Sequence, residues 1–458
     1  MGSFTSSSAE KQTRQTGMWK YLGRTAIAKV VVMGASGLLG IFTSRLIIQH
    51  FGVDAYAQYG LLTSLPALLP FADLGISAVV FNALAASDDP SRDTRVRNTI
   101  TTAFRILLVS GPAIMIGGIV ISLMGLWPSL LGNGLLEGGP TAAMLCAIVF
   151  GLVLPLSVGQ RILVGLGRTG TQVASQIIIA PFILISVVLF VLFAVPASNF
   201  VSVLSYIGAG LVSAFCLILA ARAIKPQVGA ALRDIPRLRA VPNVPFLSIA
   251  GPVLVQMLIL PLATQTDRLF ISHLGHGDQL AQYNLGSQLF GIALQTVSAA
   301  GLALWPIYAK ARASSRIQSP FKTSLAFLAA GLGLGGLMAA ASPFIVAFLS
   351  DGKIKLDGLL ILAFALLVAI QAAKYPLGMY MTDARGLKFQ MIPILLMAPV
   401  NLSLSWFLVR SVGAAGPVLA NTISALAFQI VPYFWYVRRD LARRRAVLAE
   451  SVATKSGG

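Results

Sequence analysis

The sequence predicts an all-α, polytopic membrane protein with about twelve transmembrane helices in two pseudo-symmetric six-helix lobes. First, the chain is 56% hydrophobic and only 11% charged, with a mean hydropathy of +0.82, well above that of soluble proteins. Second, apolar stretches of about 20 residues, enough to cross a hydrocarbon core of about 30 Å, recur along its length. Third, a string that begins at Arg45 recurs at Arg268.

The apolar stretches define the spans in chain order. Their predicted cores are 26–48, 59–85, 99–126, 142–164, 173–194, 201–221, 246–271, 281–309, 325–349, 359–381, 389–409 and 416–437. Glycine and proline inside these stretches do not argue against helices, because neighbouring segments can satisfy the freed backbone groups. We expect Pro66 and Pro70 to bend the second span, and Pro252 and Pro261 to bend the seventh.

The loop charges predict the orientation of the chain. Most of the 34 Lys and Arg residues fall in the two termini and in alternate loops, whereas the opposite loops hold only Lys353, Lys355 and Arg410. By the positive-inside rule both termini are cytoplasmic, and the net charge of +19 orients the protein in the membrane. No nucleic-acid partner is inferred from this charge. The predicted location is the inner, cytoplasmic membrane.

The repeat divides the chain into two halves. Residues 1–24 form a cytoplasmic tail, 25–224 the first lobe with helices 1–6, 225–244 a cytoplasmic linker, 245–438 the second lobe with helices 7–12, and 439–458 a basic tail. Arg45 and Arg268 both lie at the outer end of the first helix of their half. The halves are therefore parallel repeats, and binding sites in such proteins usually lie between them.

Five cations lie within or at the edges of the predicted spans, where orientation of the chain in the membrane does not explain them: Lys29, Arg45, Arg105, Arg268 and Lys374. A charge at the centre of a membrane helix costs about 2.5 to 3.5 kcal/mol on insertion scales. Lys29 and Arg105 lie near cytoplasmic ends and can extend to the interface. Arg45 and Arg268 are either anchors at the outer interface or parts of a shared cavity. Lys374 lies deeper and is the hardest to explain in this way.

Two acids are candidates for ion coupling. Asp73, in the middle of the second span, either makes a structural hydrogen bond beside Pro70 or binds a proton or cation. Asp267 either forms a local ion pair with Arg268 or takes the coupling role. Polar residues also follow one face of the eighth span, at Asn284, Gln288, Gln295 and Ser298. They indicate either contacts between helices or a wet cavity.

Signals for catalysis are weak. The sequence has no metal-ligand cluster, P-loop or glycine-rich dinucleotide motif. We therefore expect neither an enzyme nor a resident cofactor.

Three strings in the chain resemble segments of a known family. They are Tyr56-Ala57-Gln58-Tyr59-Gly60-Leu61, Ala72-Asp73-Leu74-Gly75, and Thr266-Asp267-Arg268-Leu269-Phe270 with the later Tyr283 and Asn284. In these strings the chain resembles polysaccharide flippases of the Wzx type. These flippases belong to the multidrug/oligosaccharidyl-lipid/polysaccharide exporter (MOP) superfamily. In topology the resemblance covers nearly the whole chain, but its motifs are loose and identify the superfamily better than the substrate.

The resemblance implies a V-shaped flippase that works by alternating access. Its cargo would be undecaprenyl-diphosphate-linked oligosaccharide, moved across the bacterial inner membrane for O-antigen, capsule or exopolysaccharide assembly. The expected substrate contacts are Arg45, Arg268, Lys374, Lys29, Gln288 and Gln295, with Asp73 or Asp267 coupling transport to H⁺ or Na⁺. Besides this polyisoprenoid diphosphate-linked glycan and the lipid bilayer, a polysaccharide polymerase and a chain-length regulator are the expected partners.

Three other functions are conceivable for a polytopic membrane protein of this kind. A multidrug or cation antiporter of the same superfamily would favour a cavity dominated by carboxylates, whereas here the intramembrane cations outnumber the acids. A lipid II flippase is chemically closer, but that family usually has two further helices. A membrane glycosyltransferase or polymerase would need a large charged outer loop, and the outer loops here are short and nearly uncharged.

Overall fold

The computed structural model describes residues 32, 34–69, 72, 74–238, 266–313 and 317–456. Every regular element among them is a helix, which confirms the all-α prediction. Eight helical segments among them are long and apolar enough to cross a membrane, or nine if the bent pair Trp127–Gly134 and Gly139–Val153 is one span. Two of the eight, Thr169–Leu192 and Ala415–Ala446, each join consecutive helices. The protein is therefore a multi-pass membrane protein, and the count of twelve spans stays a prediction.

Among the described residues up to 238 there are twelve α-helices. They are α1 (34–50), α2 (Val53–Thr63), α3 (Leu65–Leu68), α4 (Ile76–Ala85), α5 (Thr94–Leu123), α6 (Trp127–Leu131), α7 (Gly139–Val153), α8 (Val158–Gly165), α9 (Thr169–Ser175), α10 (Ile179–Leu192), α11 (Val201–Ala223) and α12 (Gln227–Asp234). α5 shows why a helix begins where it does. The backbone amide of Arg95 donates to the side chain of Asp93, which caps the helix and lowers the pKa of that carboxyl.

The remaining helices follow residue 266. They are α13 (Asp267–Leu274), α14 (Gln279–Leu302), α15 (Trp305–Ala313), α16 (Phe321–Ser350), α17 (Gly358–Tyr380), α18 (Ala384–Val412), α19 (Ala415–Ala425) and α20 (Val431–Ser456), with a π-helical turn at Leu426–Ile430. Most of the predicted seventh span, 246–271, lies outside the described residues.

Residue contacts group the chain into two compact units. Unit 1 consists of 1–43, 70–126 and 140–255, and unit 2 of 44–69, 127–139 and 256–458. Two segments from the first half of the sequence thus lie in unit 2. The predicted lobes and linker stay a prediction, because contacts alone do not show which segments move together.

Unit 1 has an apolar core built by α4, α5, α8, α11 and α12. Its most deeply buried members include Ile100, Ile162 and Cys216, each fully shielded from solvent. Small residues let the helices approach closely, since a Cβ on Gly159 would meet the backbone of Leu217 on α11. This is the usual way in which membrane helices gain packing contacts without a large hydrophobic driving force.

Unit 2 is built around α14 and α17. The rings of Phe290 and Phe364 stack between these two helices with centroids 5.4 Å apart. α16 packs on α17 through Gly331 and Gly335, where an added Cβ would meet the α17 chain. The spacing of these glycines, four residues apart on one helical face, is typical of close helix packing in membranes.

The predicted second span, 59–85, is not one continuous helix. α2 ends at Thr63, the short α3 ends at Leu68, and α4 begins only at Ile76. Gly75 adopts a left-handed conformation at the start of α4, with φ of 73°. The sequence predicted a bent helix here, but the helix is broken.

Arg105, which the sequence predicts to extend to the cytoplasmic interface, is covered by α12 from the predicted linker. Its side chain is buried, and it donates through Nε to the carbonyl of Ile235 at 2.9 Å and through Nη2 to that of Asp234 at 2.7 Å. These carbonyls lie at the end of α12, which forms within the predicted linker. A cation there satisfies free carbonyl groups and complements the negative end of the helix dipole. Arg97 also pairs with the Asp234 carboxylate at 2.5 Å.

Replacing Arg105 by leucine should lower the thermal midpoint of the purified protein by several degrees. The change leaves two carbonyls without their charged donor, and hydrogen bonds of this kind contribute about 1.5 to 3 kcal/mol each. Arg222→Leu is the matched control, because Arg222 is exposed. Equal midpoints for the two variants would contradict the docking role of Arg105.

Candidate functional site

The structure describes six of the eight predicted site residues, and all six belong to unit 2. Arg45 lies on α1, Asp267 and Arg268 on α13, and Gln288 and Gln295 on α14, while Lys374 lies on α17. Lys29 and Asp73 fall outside the described residues. Four polar residues that the sequence did not assign to substrate or ion binding join this group: Ser44, Tyr56, Tyr283 and Asn284.

Gln288 joins α14 to the first half of the sequence. Its Oε1 accepts hydrogen bonds from the Ser44 hydroxyl at 2.7 Å and from the Tyr56 hydroxyl at 2.9 Å. Ser44 lies on α1 and Tyr56 on α2, and both are buried. In this conformation the amide oxygen of Gln288 therefore holds three helices together.

Arg268 is held by an amide. Its Nε donates to Asn284 Oδ1 at 2.7 Å, and Asn284 Nδ2 donates in turn to the carbonyl of Ala57 at 3.1 Å. The approach of α14 to α2 at this point requires Gly60, because a Cβ there would coincide with the Asn284 side chain. Asn284 thus bridges a cation on α13 and the backbone of α2.

Asp267 takes its hydrogen bond from Tyr283, whose hydroxyl donates to Asp267 Oδ2 at 2.9 Å. Within the described part of the chain the other oxygen, Oδ1, has no hydrogen-bond partner, and the residue is only 4% exposed. A buried carboxylate oxygen without a donor is costly and is a ready ligand for a proton or a cation. Asp267, Arg268, Tyr283, Asn284, Gln288, Ser44 and Tyr56 are called the polar cluster below.

The 127–139 segment is also attached to this region. The backbone amide of Leu136 donates to Gln58 Oε1 at 2.7 Å, and that of Gly134 donates to the Ser272 hydroxyl at 2.9 Å. Ser272 in turn donates to the carbonyl of Leu131. The segment is therefore tied to both α2 and α13.

Arg45 has a different environment from its sequence counterpart Arg268. It pairs with Asp351 at 3.3 Å and lies 4.0 Å from the centroid of the Phe348 ring. Gln49 also donates to Asp351, at 2.5 Å. The paired side chains are 28% and 48% exposed, so this pair contributes about 1 kcal/mol at most.

Lys374 is the least satisfied of the described intramembrane cations. It lies half-buried on α17, 5.6 Å from the centroid of the Tyr375 ring. Among the described residues no side chain forms an ion pair or hydrogen bond with it. Tyr375 itself packs against Gly301 on α14, where a Cβ would collide with the ring.

Gln295 is exposed on α14 and, in the described part of the chain, has no hydrogen-bond partner.

Of the predicted site residues, the structure brings Gln288, Arg268 and Asp267 together in one cluster. It gives Arg45 an acidic partner, and the roles of these residues in binding stay predictions. Asp351 was missed because nothing in its local sequence marks it as a partner for a residue more than 300 positions away.

Comparison with known proteins gives the fold. No protein-family model matches the chain, and no curated protein is similar to it in sequence. Solved structures do match. An inward-facing multidrug resistance MATE family transporter of the MOP superfamily is 15% identical, with a TM-score of 0.64 over 92% of this chain and 99% of that one. The chain has the fold of MOP superfamily transporters.

Two further neighbours share this fold. The lipid II flippase MurJ, in an inward closed conformation, is 15% identical, with a TM-score of 0.65 over 91% of this chain and 90% of that one. A MOP superfamily transporter from Pyrococcus furiosus is 16% identical, with a TM-score of 0.61 over 93% and 96% of the two chains. Its binding pocket is described as having reversed polarity, which suggests a different function for that protein. At these identities the likeness establishes the fold, and the cargo has to be inferred from the site.

Replacing Gly60 by alanine should destabilise the protein by about 1 to 3 kcal/mol, because Asn284 must give up its buried hydrogen bonds to make room. Gly291→Ala on α14 is the matched control, since nothing lies within 4 Å of its Cβ. Alanine in the interior of a helix should be neutral or stabilising there by about 0.5 to 1 kcal/mol. Thermal midpoints of the two purified variants measure the difference, and a Gly60→Ala variant as stable as Gly291→Ala would contradict the role given to this contact.

Proposed function

We propose that the protein is a flippase that moves a polyprenyl-diphosphate-linked oligosaccharide from the cytoplasmic to the periplasmic leaflet of the bacterial inner membrane. The observation that carries the proposal is Lys374, a half-buried cation on a membrane helix to which the described residues offer no acidic partner. Among the described intramembrane site residues, cations outnumber acids: Arg45, Arg268 and Lys374 against Asp267. Surface polysaccharide assembly would be the process served.

The physical reason is the desolvation of the cargo. A diphosphate cannot enter hydrocarbon without compensation, and an ammonium group that no carboxylate neutralises is free to make charge-assisted hydrogen bonds to it. Lys374 is the first contact we assign, with Gln295 exposed on the adjacent α14. Arg268 and Arg45 would contribute after leaving their present partners. The lipid tail would remain in the bilayer throughout.

The second candidate is a multidrug or cation antiporter, and Asp267 is the observation that favours it. Its partnerless Oδ1 offers an anionic group to a cationic drug. A MATE multidrug transporter is among the structural neighbours, as is the lipid II flippase, the third candidate. Because Asp267 is nearly fully buried, a small cation suits it better than a drug. We therefore assign it to coupling by H⁺ or Na⁺, a role in which Asp73 stays an alternative.

The polar cluster supports a mechanism of alternating access. Its hydrogen bonds join segments from the first half of the sequence, at Ser44, Tyr56 and Ala57, to α14 from the second half. These segments lie at the predicted periplasmic ends of their helices. We propose that the cluster is the closed periplasmic gate, so that outward opening separates α1 and α2 from α14.

By the positive-inside rule both termini would be cytoplasmic. As the resemblance to polysaccharide flippases implies, a polysaccharide polymerase and a chain-length regulator would receive the flipped unit. Neither a catalytic activity nor a bound cofactor is part of the proposal.

Replacing Lys374 by glutamine should reduce glycan export roughly 10- to 100-fold, since a lost charge-assisted contact is worth about 1.5 to 3 kcal/mol. Lys374→Arg should retain most of the activity, and Lys322→Gln, an exposed cation in the same unit, should retain all of it. The measurement is the lipid-linked glycan that accumulates in the cytoplasmic leaflet when these variants complement a deletion strain. Drug sensitivity without glycan accumulation would instead favour the antiporter.

Cross-linking tests the gate. On a background without Cys146 and Cys216, Ser44→Cys/Gln288→Cys joined by a short bis-methanethiosulfonate, which forms a disulfide with each cysteine, should stop export, and reductant should restore it. The control pair is Ser324→Cys/Ala373→Cys, which joins α16 and α17 within the second half, where the Ser324 hydroxyl donates to the carbonyl of Ala373 at 2.7 Å. Cross-linking this pair should leave export unchanged. Full export by the cross-linked first pair would show that the cluster is permanent.

A further inference from the structure

The cytoplasmic ends of α15, α17, α18 and α20 are held together by a network of charges. Arg312 pairs with Asp383 at 2.8 Å and donates to the carbonyl of Tyr380 at 2.8 Å. Asp440 accepts from the Tyr380 hydroxyl at 2.7 Å and from Arg444 Nε at 2.8 Å. Two arginines and two aspartates neutralise one another here, so the acids of this region already have cationic partners.

Four exposed cations lie beside this network without acidic partners among the described side chains. They are Arg385, Lys388, Arg439 and Arg443, called the basic patch below. One of them, Arg385, lies in the first turn of α18, and Lys388 lies in the second. A cation in the first turn opposes the positive end of the helix dipole, and the N-cap carboxylate, Asp383, is already paired with Arg312.

Packing brings three of these cations onto one surface. The rings of Phe389 on α18 and Tyr436 on α20 lie with centroids 4.7 Å apart. Arg385 precedes Phe389 by four residues, and Arg439 follows Tyr436 by three, so each cation shares a helical face with its ring. Arg443, one turn beyond Arg439, continues the row.

An aromatic residue marks the membrane boundary at this place. The Arg439 guanidinium lies 3.6 Å from the centroid of the Trp435 ring, and Trp435 is half-exposed. Tryptophan is enriched where hydrocarbon meets the headgroup layer. The stacked arginine is therefore held at headgroup depth, with its donors free.

Some cations of unit 1 have acidic partners. Arg92 pairs with Asp89 at 3.7 Å, and Arg97 and Arg237 both pair with Asp234, at 2.5 and 3.4 Å. Others, such as Arg95 and Arg168, are exposed and form no ion pair among the described side chains, so the lack of acids does not by itself distinguish the basic patch. What distinguishes the patch is that its arginines lie together beside an aromatic pair and an exposed tryptophan.

We propose that the basic patch is a binding surface for anionic phospholipid headgroups of the cytoplasmic leaflet. The phosphate groups would accept hydrogen bonds from Arg385, Arg439 and Arg443, and their charge would compensate the start of α18. The site is separate from Lys374 and from the polar cluster, and it does not depend on the identity of the cargo.

The test uses the full chain in neutral detergent doped with phosphatidylglycerol or phosphatidylcholine, with retained lipid counted by native mass spectrometry. The wild type should retain phosphatidylglycerol preferentially. Each cation near an anionic surface contributes about a fivefold change in affinity, so Arg385→Gln/Arg439→Gln/Arg443→Gln should weaken binding by roughly two orders of magnitude. The control, Arg92→Gln/Arg95→Gln/Arg168→Gln, removes three exposed cations from the same predicted side and should bind as the wild type does.

Equal losses in the two triple variants would show that net charge rather than the patch attracts the lipid, and would overturn the proposal, as would no loss in either. If the patch variant does not fold, the salt dependence of lipid binding by the wild type tests the proposal instead. Its retention of phosphatidylglycerol must fall as sodium chloride is raised, and salt-independent retention would overturn the proposal. Displacement of the lipid by inorganic phosphate, but not by chloride at equal ionic strength, would assign a small-anion site instead.

Discussion

The contact between Asn284 and α2 organises unit 2. One side-chain amide accepts from the Arg268 guanidinium and donates to the carbonyl of Ala57, at the position where Gly60 leaves room for it. Without that amide, Arg268 would lose the hydrogen-bond acceptor that the described residues give it, and the Tyr56–Gln288 hydrogen bond would remain to join α2 to α14. The attachment of the first-half segments to α14 is thus made largely by the side-chain amides of Asn284 and Gln288, which carry no charge.

The intramembrane cations are stabilised in different ways, and the differences separate structural from functional candidates. Arg105 binds the free carbonyls at the end of α12, Arg45 binds a carboxylate, and Arg268 binds an amide. Lys374 has only an aromatic neighbour among the described residues. A cation whose cost of about 2.5 to 3.5 kcal/mol is not offset by the described residues is the one best explained by a ligand. Lys374 is therefore a stronger candidate than the duplicated arginines, whose role in binding stays a prediction.

The sequence predicted those features of the fold that depend on the residues of a single helix. Composition and apolar length predicted the all-helical membrane class, and the spacing of Asn284 and Gln288 on one face predicted a polar stripe on α14. The sequence did not predict contacts between residues that are far apart in the chain. Neither the Asp351 partner of Arg45 nor the burial of Arg105 under α12 leaves a local signal. The sequence predicts a bend in the second span where the structure has a break. The left-handed conformation of Gly75 cannot be predicted, because a glycine within an apolar run looks the same whether or not it lies in a helix.

α14 is the element that touches both proposed sites, and this sets how they can be coupled. Tyr283, the donor to Asp267, and Gly301, packed by the ring next to Lys374, are 18 residues apart, which is about 27 Å along a helix. At that distance, with an effective dielectric constant of about 20, two charges interact by about 0.6 kcal/mol. Coupling between two ligands typically requires about 1 to 3 kcal/mol. Direct electrostatics over that length of α14 is therefore too weak for such coupling. We propose that a coupling ion at Asp267 acts on Lys374 through movement of α14 as a rigid rod, the motion that opening of the polar cluster would release.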